Sequence, residues 1–513
     1  MNKLLIYKKN MRKYLCLLLF SSFLFSCKKE DEVSPLEFTL NEDLTSYQEI
    51  ASIGLGGVGS AEITAFDPLT DRLFAVNNGT TNKIDVIDIS NPVSISVIKS
   101  ISLDVYGGYV NSVAVSDGKL AAAIEATNKQ LPGKLVVFNT SSYAEIKSVT
   151  VGALPDMVTF SPNGQYILTA NEGEPSADYL NDPEGSISIV KVSDYSVKTI
   201  NFSAFEGQLN ELAAKGFRIF GPGKNFIKDI EPEYITVSDD SKTAYVTLQE
   251  NNAIAEIDIA TATIKKITPL GFKDYSLPTN AIDVSDKDNK VEFTNFNKVY
   301  GIYMPDAVSF YSYNGTPYLF TANEGDSREY TAFSEMKRVS AVTLDATNFP
   351  NAATLKGDAA LGRLNVTTTL GDTDGDGDFD ALYSLGARSF SIWNATTGAQ
   401  VYDSKNELDI KAKELGVYDD ARSDDKSVEP EAISIGRVGS KRIAIVGLER
   451  VDAFAIYDIT VGTSPVFVKM FKTGDAPEGI IFIPASKSPI NQSLIVVSSE
   501  NDGLVKIYKA NKL

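Results

Sequence analysis

The chain of 513 residues contains no histidine. That absence removes the Ser-His-Asp and Cys-His nucleophile systems and every histidine-containing zinc site. Cysteine occurs only at Cys16 and Cys27, both near the N-terminus. A disulfide framework or a thiolate metal site in the body of the chain is therefore excluded. Positive charge is scarce: 48 Lys and Arg stand against 67 Asp and Glu, a formal net charge of −19. Such a balance argues against a nucleic-acid partner, whose phosphates demand a basic face. It suits calcium binding and solubility outside a cell. Long amphipathic helix patterns are also missing; one short helix is expected around Leu209–Lys215. An α/β architecture is accordingly not expected.

What the chain does have is a phrase written twice. Residues 155–173 begin Pro-Asp-Met-Val-Thr-Phe and end Thr-Ala-Asn-Glu-Gly; residues 305–325 begin Pro-Asp-Ala-Val-Ser-Phe and end with the same five residues. Looser copies occupy residues 232–250, 430–449 and 477–500, and more degenerate ones 62–78 and 111–125. Each is an alternating apolar run, a turn such as Ser161-Pro162-Asn163-Gly164, and a second apolar run. Period-2 runs bounded by Gly, Pro, Asn and Asp are strand and hairpin signals. Third runs such as Ile84–Ile89, Ile254–Ile259, Phe454–Ile459 and Leu504–Tyr508 follow. A weaker fourth completes a four-stranded unit. Seven such units in ring order predict an all-β, seven-bladed β-propeller with loop insertions at about 201–229, 262–300 and 331–428. Tandem β-sandwiches do not return one phrase unit after unit.

The N-terminal residues read as an address. Lys3, Lys8, Lys9, Arg12 and Lys13 precede a short apolar stretch at 14–26, which predicts a signal peptide over residues 1–26. Leu24-Phe25-Ser26-Cys27 resembles a bacterial lipobox, with Phe25 larger than usual there. Lipidation at Cys27 would leave residues 27–44 as a tether and 45–513 as the propeller. The expected location is an outer membrane or cell surface, with the lipid anchor as membrane partner.

Two acidic constellations could carry chemistry. Asp372, Asp374, Asp376, Asp378 and Asp380 crowd one loop, with Gly377 at the sixth position. Aspartates at positions one, three and five with glycine at six open an EF-hand-like calcium loop. Position twelve is Tyr383 rather than a bidentate glutamate, so a calcium loop on a β scaffold is expected. Closely spaced carboxylates repel without a cation. The second constellation comes from the repeats. Acids enter the first strand at Glu62, Asp156, Glu233, Asp306, Glu431 and Glu478. Others leave the second strand at Glu125, Glu172, Glu250, Glu324, Glu449 and Glu500. First strands of propeller blades line the channel, so both sets should meet at one mouth, with raised pKa values, cation partners or metal. Arg328, Arg388 and Arg450 are candidate countercharges. The alternative role for these acids is hydrogen bonding to backbone within blade packing.

Two matches are rejected. Gly54–Gly59 fits G-x-G-x-x-G, but strand-like sequence follows it. Gly221-Pro222-Gly223-Lys224 lacks the spacing of a phosphate loop.

Several blocks carry a family resemblance: Thr-Ala-Asn-Glu-Gly-Glu-Pro (169–175), Leu-Gln-Glu-Asn-Asn-Ala (248–253), Ala-Asn-Glu-Gly-Asp-Ser-Arg-Glu-Tyr (322–330), Gly-Asp-Thr-Asp-Gly-Asp-Gly-Asp (371–378) and Gly-Ala-Arg-Ser-Phe-Ser-Ile-Trp (386–393). Together they resemble the choice-of-anchor I family, which looks related to mesenchyme-specific cell-surface glycoproteins of biomineralising animals. The resemblance spans about residues 45–510. It implies an extracellular β-propeller held by varied anchors, here a lipid. It supplies no agreed catalytic residues, although members are sometimes labelled alkaline phosphatases. Two functions compete. One is a non-enzymatic surface propeller that binds calcium and a polysaccharide or mineral. The other is a calcium-dependent phosphoesterase acting on phosphate esters through channel carboxylates and arginines.

Overall fold

The computed structural model describes residues 42–513. The expected signal peptide at 1–26, Cys27 and the tether as far as residue 41 lie outside the described residues. Seven four-stranded sheets dominate the fold, and the strands within each are antiparallel. Every one of the repeated phrases folds as the first two strands of a sheet. The first strands are Thr64–Asp67, Val110–Ser116, Pro155–Phe160, Pro232–Val237, Val308–Tyr313, Pro430–Val438 and Pro477–Ile483. They neighbour one another in chain order, and Pro477–Ile483 packs beside Thr64–Asp67. Sheets arranged radially about their first strands form a β-propeller.

Middle strands are covered on both faces and so are apolar along their length. Leu494–Ser499 and Arg72–Asn77 are buried almost throughout, whereas the outer strand Ser96–Ser102 is mostly exposed. Cores sit between adjacent sheets: Leu168 and Ile187 of the third sheet pack with Val246 and Ala255 of the fourth. The seventh sheet takes its outer strand, Glu42–Gly54, from the other end of the described chain, pairing it with Leu504–Lys512.

The insertions place the remaining elements. The expected helix is present as Leu209–Ala213, preceded by a 3₁₀ turn at Ser203–Gln208. A second helix, Glu407–Leu415, buries Leu408 and Ala412 against Tyr457 and ends at Gly416, whose φ is 74°. Alternation of Leu408, Ile410 and Ala412 hides its helical face in the sequence. Residues 324–388 loop out between the second and third strands of the fifth sheet. Part of this insertion, Leu382–Ser384, pairs parallel with Val299–Ile302. Among the described residues, no helix is long and apolar enough to cross a membrane.

Candidate ligand and metal sites at the channel mouth

The doubled phrase is built from separate local needs. Its Thr and Asn form a buried polar knot: Thr169 Oγ1 donates to Asn171 Oδ1 at 2.9 Å, and Asn171 Nδ2 donates to Ser188 Oγ at 3.0 Å. The second copy repeats this with Thr321, Asn323 and Ser391 at 2.8 and 2.9 Å. Buried polar groups persist only when satisfied this way. The glycine is required by geometry. Gly173 and Gly325 have φ of 76° and 86°, and a Cβ on Gly325 would lie 2.2 Å from the Gly386 nitrogen. Between knot and turn, the glutamate comes within electrostatic reach of the channel acids, Glu172 of Asp156 and Glu324 of Asp306.

At four of the entering acids, the residue before the preceding proline turns the chain. Leu154, Met304, Glu429 and Ala476 all hold positive φ, between 43° and 55°. Their placement is uncommon for side-chain-bearing residues. Carbonyls there hold the leaving acids: Glu172 N donates to Leu154 O at 2.8 Å, Glu449 N to Glu429 O at 3.0 Å, and Glu500 N to Ala476 O at 2.9 Å. Strand register then shifts just after Pro155, Pro232, Pro430 and Pro477. Antiparallel pairing puts Pro155 opposite Asn171 and Pro477 opposite Ser499, so entering and leaving acids share one end of the channel.

All seven first strands, or the residues just before them, line a channel cavity of about 380 Å³, with Asp156, Glu233, Asp306, Glu431 and Glu478 among its walls. Burial and mutual repulsion push these carboxyls upward. Asp156 rises to about 6 through burial and Glu125. Glu62 rises to about 7 through burial and Glu500, although Asn78 Nδ2 donates to it at 2.9 Å. Burial is also the first cause for Asp306, Glu431 and Glu478, all well above the ordinary range, with Glu324 adding to the first two and Glu62 to Glu478.

Two glutamate triads stand out in this mouth. In each, one oxygen per residue lies within 4.8 Å of the others. The first, Glu324, Glu429 and Glu449, is laced with cations. Lys426 Nζ reaches Glu324 at 2.6 Å and Glu429 at 3.1 Å; Arg422 reaches Glu429 at 2.5 Å; Arg450 reaches Glu429 at 3.3 Å and Glu449 at 3.0 Å. Burial pulls Glu429 upward, but Lys426, Arg422 and Arg450 outweigh it and hold its carboxyl below the usual range. Glu449 still rises to about 7 through burial and Glu324.

Among the described residues, the second triad, Glu172, Glu233 and Glu250, lacks such partners. Glu233 Oε2 and Glu250 Oε2 are buried without a hydrogen-bond partner. Lys129 and Arg328 act on the triad from a distance. Lys129 is paired with Glu174, and Arg328 with Asp229 and Glu231. Burial, then neighbouring carboxylates, raise all three well above the ordinary range. Like charges at this spacing repel by roughly 3–4 kcal/mol per pair at an effective dielectric of about 20.

The candidate arginines divide. Arg328 meets Glu231 at 2.8 Å, lies over the Phe220 ring at 4.5 Å, and also pairs with Asp229. Arg218 stacks on the same ring at 4.1 Å and pairs with buried Glu335. Arg450 sits in the first triad. Arg388 is not placed as a countercharge to the channel acids. It is 1% exposed and donates to the carbonyls of Asp283, Ser423 and Asp425 at 2.6–2.9 Å, clamping the insertions together.

The aspartate loop lies in the insertion at 324–388, between strand Asn365–Thr367 and strand Leu382–Ser384, with no helices flanking it. Asp372, Asp374 and Asp380 converge to within 4.8 Å, and Asp378 and Asp380 form a second group with Asp345. Asp376 belongs to neither group; it accepts from Asp378 N at 3.0 Å. Asp372 accepts from Gly375 N and Gly377 N at 2.7 and 3.1 Å, which folds the loop around its own carboxylates.

Sequence reasoning missed Glu231, Glu429, Lys426 and Asp345. A signal existed for the first two. Glu-Pro-Glu occurs at 231–233 and again at 429–431, doubling the acid at the turn that starts a first strand. Lys426 and Asp345 come from insertions and carry no repeat signal.

Fold and acid-ringed mouth define a class: a β-propeller whose channel opens onto clustered carboxylates. The chain belongs to the choice-of-anchor I family, whose domain model matches residues 62–461. It is 30% identical over 190 residues to Gigasin-3a of Magallana gigas, covering 30% of this chain and 66% of that protein. It is 25% identical over 336 residues to a mesenchyme-specific cell surface glycoprotein of Strongylocentrotus purpuratus, covering 55% and 42%. The chain thus spans less than two thirds of either relative's length. Among solved structures, the Cps50 (Swd1) β-propeller domain of Myceliophteria thermophila aligns over 91% of this chain and 100% of its own, at a TM-score of 0.46 and 8% identity.

Proposed function

We propose that the protein is a cell-surface, seven-bladed β-propeller that binds calcium through the Asp372–Asp380 loop and an extracellular ligand at the channel mouth, acting by binding rather than catalysis. The convergence of Asp372, Asp374 and Asp380 in a loop folded around them carries the calcium reading. Seven sheets with cyclically neighbouring first strands support the blade number. Family membership and the relative described as a cell surface glycoprotein support the location. In this reading residues 1–26 are removed, Cys27 is lipidated and the residues after it tether the chain to an outer membrane; the expected tether end at residue 44 moves to before Glu42, because strand Glu42–Gly54 belongs to the seventh sheet. Polysaccharide or mineral surfaces suit an acidic, calcium-loaded mouth, because calcium bridges carboxylates to anionic polymers.

A thermal melt with and without calcium tests this. Calcium should raise the melting temperature of the full chain, and Asp374→Ala should remove part of that rise. An unchanged melt across a calcium titration would sink the reading. A calcium-dependent phosphoesterase is the weaker alternative, because it needs arginines to hold phosphate. Arg328 and Arg450 are engaged in ion pairs and Arg388 in carbonyl contacts. Turnover of a phosphate-ester panel with calcium, lost in Glu324→Gln, would reverse that preference.

A further inference from the structure

We infer that Glu172, Glu233 and Glu250 form a second, buried site for a hard divalent cation, at the channel mouth and separate from the aspartate loop. The inference deepens the calcium reading above but rests on different residues. Three observations carry it.

First, the geometry fits one ion. Calcium–oxygen distances of about 2.3–2.6 Å place two ligands of one ion up to about 5 Å apart, and these three carboxylate oxygens lie within 4.8 Å of one another. Second, Glu250 is 4% exposed, and its Oε2 has no hydrogen-bond partner among the described residues; Glu233 Oε2 is likewise buried and unpartnered among them. Unsatisfied buried carboxylate oxygens are costly and call for a ligand. Third, the fold commits the neighbouring cations elsewhere. Lys129 pairs with Glu174, Arg328 with Asp229 and Glu231, and Arg218 with Glu335. The Glu250 carbonyl is also taken, by Arg218 Nη1 at 3.1 Å, so only its carboxylate faces the cluster.

The Glu324, Glu429 and Glu449 triad shows how this protein treats the same arrangement when a protein cation is supplied: Lys426 lies between Glu324 and Glu429. A bound divalent ion would stand in the second triad where Lys426 stands in the first. Oxygen-only ligands select calcium- or magnesium-like ions over softer metals. Asp156 on one neighbouring first strand and Asp306 just before the other extend the negative field beyond the triad.

The test is calorimetric titration of the full chain with calcium chloride, using wild type, Glu250→Gln, Glu172→Gln and Asp374→Ala. Either glutamine variant should lose one calcium equivalent while Asp374→Ala retains it. In chelator, Glu250→Gln should melt higher than wild type, because it removes an uncompensated buried charge; a packing acid would give the opposite. Full calcium stoichiometry in both glutamine variants would overturn the inference, whatever Asp374→Ala does. Loss confined to the glutamine variants would uphold the triad and remove the loop. Loss in both classes would uphold both.

Discussion

The two glutamate triads at the channel mouth have the same backbone origin and opposite electrostatic fates. Each combines acids that enter or precede a first strand with acids that leave a second strand. Around Glu429 an insertion delivers Arg422 and Lys426 within seven residues, and Arg450 follows Glu449 directly. Around Glu250 two insertions deliver Arg218 and Arg328, but these pair with acids that the insertions also supply, Glu335, Asp229 and Glu231. Repeats therefore fix where carboxylates gather, and insertions decide whether they are neutralised. The first triad is a structural ion-pair network; the second is left open to a ligand.

Removing Lys426 should break this difference most severely. Lys426→Met leaves Glu324 and Glu429 buried with less countercharge, and losing one partner of a buried pair costs about 3–5 kcal/mol. Urea denaturation in chelator should show that loss, and added calcium should recover part of it. No change in midpoint would mean that the network is not what compensates the triad.

Next in size are the turns that aim the leaving acids. Gly325→Ala places a methyl 2.2 Å from the Gly386 nitrogen at a φ of 86°, whereas Gly173→Ala meets Glu184 O at 2.9 Å. Left-handed strain alone costs about 1–3 kcal/mol. Both should destabilise, Gly325→Ala the more, in parallel chemical melts; a reversed order would show that the Gly173 turn is the tighter one.

Acidification separates charged from neutral mouths. Carboxyls whose folded pKa is raised contribute stability that is fully present below their unfolded values, near 3.8 for Asp and 4.5 for Glu, and lost as pH rises through the folded ones. Here those are about 6 for Asp156 and about 7 for Glu62. In chelator the melting temperature should climb by a few degrees between pH 8 and pH 5. With calcium present the climb should shrink, since the ion stabilises the ionised form. A chelated protein that melts lower at pH 5 than at pH 8 would contradict the uncompensated ring.

The smallest effect is expected from the aspartate loop without metal. Asp374 is exposed, so Asp374→Ala in chelator should shift stability by less than about 0.5 kcal/mol. Its consequence should appear only as a reduced calcium-induced rise in melting temperature.

Much of this architecture was legible in residue order. Strand pairs announce themselves through alternation and turns, and the seven phrases all fold as first and second strands because that signal is local. The acids of the mouth were legible too, since a fixed offset from Pro or Asn fixes an end of a strand. Arg388 misled because it directly precedes a blade strand, Ser389–Asn394, while its guanidinium donates to the carbonyls of residues 283, 423 and 425. Helix Glu407–Leu415 escaped because Leu408, Ile410 and Ala412 alternate along it as they would in a strand.

By itself, the sequence determined the repeated strands, most of the acids at their ends and the lack of any histidine chemistry, because these depend on residue type and spacing alone. Tertiary structure decided the rest. It brought Glu42–Gly54 beside Leu504–Lys512, set Lys426 between Glu324, 102 residues before it, and Glu429, three residues after it, and left Glu250 facing two other acids. Charge compensation is a matter of distance in space, and only the packing of insertions over the channel fixes that distance.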